Sequence, residues 1–472
     1  MRRVLIALAV SLAAVPPLPA QAPAASAAAR GTQLRIDYVE DSLPNGLKLL
    51  YHVDRSTPVA AVVLWYDVGS RVEPKGRTGF AHLFEHVMFE GSKHVADGEH
   101  FGLLEKAGAR GGADINGTTN NDRTNYFEQV PSNQLELALW LEADRMGTLL
   151  DVLTPEKLEI QRDVVKNERR QGVDNQPYGT FFENMMGRIF PAGHPYHHPV
   201  IGSMDDLSAA TLDDVKHFFR TYYAPNNAVL VVAGDIDIPT VKRLVRKHFG
   251  PIPRGPAKPA DPSAAVAPVI GQAQRAVVPD AQAPAPAVFV GYRVPAARSA
   301  RAPHVSLLGS VLADGKSGRL YEKLVRERQV ATQVFGGNIG LVDGEDAMFF
   351  AAIGKPGANP DSLERALIAE LDRAATGEYT QAELDRVRAQ QRFGFVNGLQ
   401  TMGGFGGRAD RLAEGWTYYR DPNFVNTWLS KLDRVTVPEL GALARERLGE
   451  NNRVTLVYVP NKQAATTAEV KP

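Results

Sequence analysis

The residues best suited to metal binding or catalysis lie in the segment Gly79–Phe89, which contains the pattern His-x-x-Glu-His. On a helix, residues three and four apart share one face, so His82 and His86 would direct two imidazoles at one point with Glu85 beside them. Two neutral imidazoles and a carboxylate suit Zn²⁺ and leave a fourth position for water. The pattern predicts a hydrolytic site with zinc-bound water activated by Glu85. The alternative is a helix with two structural histidines and a solvated glutamate.

Composition narrows the ligands and partners available to this chain. Cysteine is absent from the 472 residues, which excludes disulfides, thiolate metal sites and cysteine nucleophiles. A transition-metal site must therefore use His, Asp and Glu. Lys and Arg together number 53, as do Asp and Glu, so the net charge is zero and no bulk electrostatic attraction to nucleic acid is expected.

Several further segments carry a resemblance to a known family. They are His82–His86, Asn116–Thr119, Asp122–Phe127, Gln161–Arg170 and His194–Tyr196. On these segments the chain resembles the pitrilysin–insulysin family of zinc metallopeptidases, the inverzincins, in the branch near mitochondrial processing peptidase and its small bacterial homologues. The resemblance implies a zinc metalloendopeptidase that holds one Zn²⁺ per chain and hydrolyses peptides or extended segments.

The resemblance also implies a third zinc ligand, a glutamate on a downstream helix, and the matching residue is Glu168. Glu159 and Asp163 lie on the same predicted helix, but their spacing turns them away from the face of Glu168. The alternative for this helix is a solvated face of charged side chains. Gln161 stands where many relatives carry another glutamate, a departure that bears on the tuning of the site rather than on zinc binding.

Substrate binding is expected at a sheet edge, because members of the family add an extended peptide to an exposed strand. The matching residues are Asn116, Gly117, Thr118 and Thr119, and Asn116 is expected to bond the peptide backbone near the metal. Edge pairing uses backbone groups and therefore tolerates many substrate sequences. The residues alone fit a turn-rich loop equally well.

The second half of the chain departs from the family pattern at one position. In relatives this half supplies an arginine and a tyrosine that stabilise the oxyanion of the scissile carbonyl. Arg326 matches the arginine, but Thr332 stands in place of the tyrosine and is too short to cross a cleft. One hypothesis is that a paralogous zinc-less subunit supplies the tyrosine, and another is that two copies close as a homodimer. The alternative function is a non-catalytic or partner-dependent subunit of a heterodimeric complex.

Strand-like and helical patterns alternate in both halves of the chain. The helices and strands that they predict must position the candidate site residues. In the first half, strands are predicted at 34–40, 47–53, 59–68, 123–130 and 228–233, and helices at 78–90, 100–107, 132–150, 154–170 and 239–249. In the second half, strands are predicted at 287–294, 331–339, 347–353 and 453–459, and helices at 302–312, 360–375, 380–399 and 437–448. The second half carries no second His-x-x-Glu-His pattern.

A segment rich in Pro and Ala, residues 251–286, separates the two halves. We therefore predict an α+β fold of two homologous α/β-sandwich domains, similar to the metalloenzyme LuxS/processing-peptidase-like fold that the resemblance implies. The predicted divisions are a signal peptide at 1–29, a zinc-binding peptidase domain at 30–250, the linker, and an inactive domain at 287–472.

The first 29 residues have the layout of a secretory signal peptide. A basic start at Arg2 and Arg3 precedes the apolar run Val4–Val15, and small residues follow. The run is shorter than the roughly 20 residues that a membrane-spanning helix needs. Cleavage after Ala20 and after Ala27 both fit, and a short uncleaved anchor is the alternative. The expected location is the periplasm or the medium, with no stable membrane span after cleavage.

Other histidines are interpreted as structural. His194, His197 and His198 form a cluster in sequence, but the resemblance assigns this segment to a structural loop. His304 stands alone in the second half and is expected at the surface or in packing.

Overall fold

Two β-sheets organise the chain, and the computed structural model describes it over residues 35–461. The strands are, in chain order, β1 (Val39–Ser42), β2 (Lys48–Val53), β3 (Val59–Tyr66), β4 (Ile115–Thr119), β5 (Thr124–Pro131), β6 (Ala228–Gly234), β7 (Gln274–Asp280), β8 (Ala287–Pro295), β9 (Gln333–Asn338), β10 (Glu345–Ile353) and β11 (Arg453–Pro460). The order in the first sheet is β1-β2-β6-β3-β5-β4, and in the second it is β7-β11-β8-β10-β9.

Helices cover these sheets in both halves. In the first half they are α1 (Phe80–Val87), α2 (Glu99–Lys106), α3 (Leu135–Val152), α4 (Pro155–Arg169), α5 (Phe181–Ile189), α6 (Met204–Ala209), α7 (Leu212–Tyr222) and α8 (Ile238–Phe249). In the second half they are α9 (Ala302–Ala313), α10 (Pro360–Ala375), α11 (Gln381–Gly398), α12 (Arg408–Tyr419), α13 (Phe424–Arg434) and α14 (Val437–Arg447).

The two sheets repeat one topology. In the first, β2 pairs in parallel with β6, and β6, β3, β5 and β4 follow as antiparallel neighbours. In the second, β7 pairs in parallel with β11, and β11, β8, β10 and β9 follow in the same way. Five strands taken in chain order therefore occupy the same places in both sheets. The predicted α+β fold with two related halves is confirmed.

Helices are exchanged between the halves. Helix α5 of the first half packs on β8 and β11, whereas α12 of the second half packs across β3 and β6. Met185 and Ile189 of α5 are buried in one apolar cluster with Phe289 and Leu456 of the second sheet. Because each sheet is covered by a helix from the other half, the halves share their packing.

A buried polar contact also joins the halves beside the His194–Tyr196 segment. The Tyr196 hydroxyl donates to Asp122 Oδ1 at 2.6 Å, and the backbone N–H of Val342 donates to the other oxygen of Asp122 at 3.2 Å. Tyr196 is fully buried, so this segment serves the join between the halves.

The predicted linker, residues 251–286, is only partly a connector. Its residues 274–280 form β7, an edge strand of the second sheet paired with β11. The alternating burial of β7 indicates that one of its faces is solvated, and the Pro- and Ala-rich surroundings hid this pattern in the sequence. The domain boundaries themselves stay predictions.

The predicted signal peptide, residues 1–29, lies outside the described residues. Within the part of the chain that the structure describes, no helix combines the length and apolar character required to cross a bilayer. Localisation therefore stays a prediction.

Candidate metal centre

Helix α1 presents its histidines on the face opposite the core. Leu83, Phe84 and Val87 are completely buried against the first sheet and its helices. His82 and His86 lie one turn apart on the other side and keep 15 % and 20 % of their side-chain area exposed. The predicted helical spacing of these two residues is thus observed.

Three ligand atoms from two helices converge at this face. The Nε2 atoms of His82 and His86 lie 3.3 Å apart, and Glu168 Oε2 lies 3.5 Å from the first and 3.3 Å from the second. For Zn²⁺ with bonds of about 2.05 Å in tetrahedral geometry, the ligand atoms are spaced by about 3.3–3.4 Å. The three observed distances between ligand atoms therefore fit those around a tetrahedral zinc ion.

Electrostatics leaves His82 in the form that binds metal. Burial, together with the neighbouring His86, lowers the pKa of His82 to about 4. A neutral imidazole is available to a cation without losing a proton first. His82 can thus bind a cation at neutral pH.

Helix α4 delivers Glu168 from its last turn. The helix begins as predicted, with the Thr154 hydroxyl accepting the N–H of Lys157 and Pro155 in the first position. At its other end Arg169 donates to the Gly202 carbonyl at 2.8 Å and pairs with Glu183 at 2.9 Å. These contacts fix the end of α4 that carries Glu168.

The other acidic and amide side chains of α4 have different partners. Glu159 is exposed and pairs with Arg162, and Asp163 is also exposed. Gln161 is buried and donates to Glu90 Oε1 at 2.6 Å. The structure therefore brings Glu168, and neither Glu159 nor Asp163, into the group of ligand atoms with the two histidines.

Glu85 lies in a tight space between α1 and β4. Burial raises the pKa of its carboxyl, and the nearby Glu168 adds to this while Thr119, His86 and Arg123 oppose it. A Cβ placed on Gly117 would stand 3.3 Å from Glu85 Cγ and 3.0 Å from Tyr126 Cδ1. Gly117 thus provides the room that Glu85 occupies.

A buried carboxylate that the sequence analysis did not identify holds the start of α1. Glu73 accepts hydrogen bonds from the N–H groups of Gly79 and Ala81 at 2.9 and 2.8 Å. His198 Nε2 lies 3.0 Å from Glu73 Oε2 and 3.0 Å from the Ser70 carbonyl oxygen. His198, which was interpreted as structural, therefore has a defined role, since it supports the carboxylate that caps α1.

Strand β4 ends the first sheet and has β5 as its one neighbouring strand, while on its outer side the loop residue Gly112 donates to the Ile115 carbonyl at 2.9 Å. Asn120 N–H donates to Arg123 and Gln129 N–H donates to Asp114, which fixes the alternation of the ladder. Under this alternation, Gly117 and Thr119 turn their backbone groups toward the open edge. The expectation of a strand with a free edge at Asn116–Thr119 agrees with this geometry.

Side chains hold β4 in place. Arg123 donates to the Thr118 carbonyl at 2.7 Å, and the Asn116 amide oxygen accepts the N–H of Gly117 at 2.8 Å. Asn116 also donates to the Gly112 carbonyl at 3.2 Å. In this structure the Asn116 amide is thus engaged with its own strand and loop.

Arg326 and Thr332 have partners away from the histidine site. Arg326 is 71 % exposed and pairs with Glu322, one turn earlier in the π-helical segment Tyr321–Glu327. The Thr332 hydroxyl donates to the Ile353 carbonyl at 3.2 Å. Over residues 35–461, neither side chain contacts the histidines, Glu85 or Glu168.

A second group of potential ligands, His100, Glu128 and Glu142, lies in the core of the first half. Arg145 is buried among them, 3.2 Å from Glu128 and paired with Glu142. Its guanidinium already supplies the cation that these carboxylates require, so we assign the group to core stability rather than to metal binding.

Comparison with known proteins places this geometry in context. Residues 48–201 match the family described as insulinase (peptidase family M16), and residues 209–391 match the peptidase M16 inactive domain. Zinc protease PqqE of Helicobacter pylori is 34% identical over 400 residues, covering 84% of this chain and 88% of the relative. An uncharacterized zinc protease of Mycobacterium leprae is 28% identical, with 87% and 89% covered. The crystal structure of a protease from Helicobacter pylori superimposes with a TM-score of 0.83 at 30% identity, covering 90% of this chain and 100% of that one.

Proposed function

Because the chain belongs to peptidase family M16, whose members similar to it are named zinc proteases, we propose that it is a zinc-dependent metalloendopeptidase. The observation that carries the proposal is the triangle of His82 Nε2, His86 Nε2 and Glu168 Oε2, with sides of 3.3 to 3.5 Å. One Zn²⁺ per chain would be held by these three residues. When bound, the ion would polarise the scissile carbonyl and lower the pKa of a water molecule.

Glu85 is assigned the proton transfers. Its carboxylate takes a proton from the attacking water and returns it to the amide nitrogen of the leaving segment, so the carboxylate is regenerated at each turnover. The burial that raises its pKa supports this role, since a base must later act as an acid. The space left by Gly117 keeps the carboxylate beside the metal ligands.

The open edge of β4 is assigned to the substrate. The outward backbone groups of Gly117 and Thr119 can pair with an extended peptide and hold it across the face of α1. Asn116 would exchange its hydrogen bond with Gly117 for one with that peptide, because its amide lies at the same edge. This mode selects an unfolded segment rather than a particular sequence.

Zinc content and cleavage of a quenched-fluorescence peptide library test the proposal in one series. Wild type is expected to hold one zinc per chain and to cleave, while Glu85→Gln keeps its zinc and loses cleavage by at least about a thousandfold. Glu159→Gln, an exposed change on α4, is the control for a lost carboxylate. A wild-type chain without zinc, or a Glu85→Gln variant as active as wild type, would refute the assignment.

A second candidate is a subunit whose activity depends on a partner. It is favoured by Arg326 and Thr332, which contact none of the four site residues in the described part of the chain. The partner would be a zinc-less paralogue or a second copy, and would supply the missing tyrosine. Sedimentation and activity measured together distinguish the cases: full activity of the monomer contradicts this candidate, whereas activity that appears only with dimer or added paralogue supports it.

We also propose export to the periplasm or the medium. The support is the layout of residues 1–29 in the sequence, a basic start followed by a short apolar run and small residues. Cell fractionation and N-terminal sequencing of the secreted form test this. A full-length chain recovered from the cytoplasm would contradict it.

A further inference from the structure

An aromatic pocket lies in the second half, between the start of α9 and the helices α12 and α13. Its volume is about 450 Å³. Tyr419 and Phe424 stack with ring centres 3.9 Å apart, and Trp428 lies 5.4 Å from Phe424. Cavities of about 300–1,000 Å³ with aromatic walls are typical of small-ligand sites.

Two cations at this pocket have no carboxylate partner in the described part of the chain. Arg434 is exposed and Lys431 lies 4.6 Å over the ring of Phe424, and neither takes part in an ion pair among the described residues. The one carboxylate of the lining, Glu439, caps α14 by accepting the hydroxyl of Thr436 at 2.7 Å. The pocket therefore offers apolar walls together with two cations that form no ion pair, against one carboxylate in the lining.

We propose that the pocket binds a carboxylate attached to an aromatic group, as found in free aromatic acids and at the C-terminus of a peptide ending in an aromatic residue. The ring would lie against the outer side of the Tyr419, Phe424 and Trp428 cluster, where edge contacts are available. The carboxylate would meet Lys431 and Arg434, and a charge-assisted bond to guanidinium favours a planar anion. This site is separate from the histidine site and requires neither zinc nor Glu85.

Titration of the zinc-loaded full chain with N-acetylphenylalanine tests the proposal by calorimetry. The free acid is expected to bind at least about tenfold more tightly than N-acetylphenylalanine amide, because the amide lacks the charge. Lys431→Gln and Arg434→Gln are each expected to weaken the acid by about tenfold and to leave the amide unchanged. Lys355→Gln, an exposed lysine outside the pocket, is the control.

A peptide ligand distinguishes the two possible sources of the carboxylate, free aromatic acids and peptide C-termini. A Gly-Gly-Phe peptide with a free terminus that binds more tightly than N-acetylphenylalanine identifies peptide ends as the ligand, and the reverse order identifies free aromatic acids. Either order upholds the site. Equal affinity for acid and amide, or binding that survives Lys431→Gln with Arg434→Gln, overturns it. Repetition with Glu85→Gln keeps this result independent of the peptidase proposal.

Discussion

The position of one carboxylate on α4 decides whether the histidines have a third ligand. Glu168 Oε2 lies within 3.5 Å of both Nε2 atoms, whereas Glu159 is paired with Arg162. Glu168→Gln is expected to weaken zinc by at least about a hundredfold, since an anionic ligand is replaced by a weak neutral one. Competition with a chelator measures this. Glu159→Gln should retain wild-type affinity, and an equal loss in both variants would contradict the assignment.

Gly117 gives a second prediction at this scale. In Gly117→Ala the new methyl would stand 3.0 Å from Tyr126 Cδ1 and 3.3 Å from Glu85 Cγ. We expect turnover to fall by about 10- to 100-fold through displacement of Glu85, with zinc content preserved. Gly102→Ala, a helix position with nothing within 4 Å, is the matched control. Unchanged turnover in Gly117→Ala would show that Glu85 tolerates the crowding.

The sequence predicted those site residues whose signal is local. His82, Glu85 and His86 share one helical face, and that spacing can be read without a structure. Glu168 depended on family resemblance, because nothing in its own surroundings separates it from other charged residues of α4. Glu73 was missed, and His198 was interpreted only as structural, since the two meet across the fold and Glu73 precedes α1 at a spacing that no simple capping pattern describes.

At the scale of elements, α1 depends on the buried pair of Glu73 and His198. Burial would lower the pKa of His198, but the hydrogen bond and charge of Glu73 raise it above the ordinary value, with Asp206 adding to the effect. Burial also raises the pKa of Glu73, which His198 opposes. The protonated imidazole is therefore favoured in the folded state.

This linkage has a defined sign. Since the folded pKa of His198 is raised, its stabilisation is fully present below the usual histidine value of about 6.5 and is lost as pH rises through the folded value. Wild type is expected to exceed His198→Gln by about 1–2 kcal/mol near pH 6 and by less near pH 9. Urea unfolding across this range measures the difference. His197→Gln is the control, and a difference that grows with pH would contradict the interpretation.

Helices and strands were predicted correctly where the spacing of apolar residues agrees with the signals that begin or end an element. The strand near 228–233 and the helix from Thr154 were found because one is an unbroken apolar run and the other has a clear N-cap. Strand β7 was missed because its segment is dominated by Pro and Ala. Helices α12 and α13 were also not predicted, since the glycine-rich loop before α12 obscures its start.

For the whole molecule, the exchange of α5 and α12 makes each half depend on the other. Asp410 of α12 anchors this exchange by accepting from Trp65 Nε1 at 2.9 Å and from Asn125 Nδ2 at 3.2 Å. Both donors are buried in the first half. The loop before α12 also enters that half, where the N–H of Gly403 donates to Gln129 at 3.1 Å.

We therefore expect the full chain to unfold in one cooperative transition rather than as two domains. Asp410→Ala leaves the two buried donors unpaired and is expected to destabilise the whole chain by about 2–4 kcal/mol. Calorimetry, with far-UV and tryptophan signals followed in parallel, measures both effects. Asp385→Ala, at an exposed site on α11, should leave the transition in place. Two separated transitions in wild type, or a shift confined to one of them in Asp410→Ala, would show that the halves fold independently despite the exchanged helices.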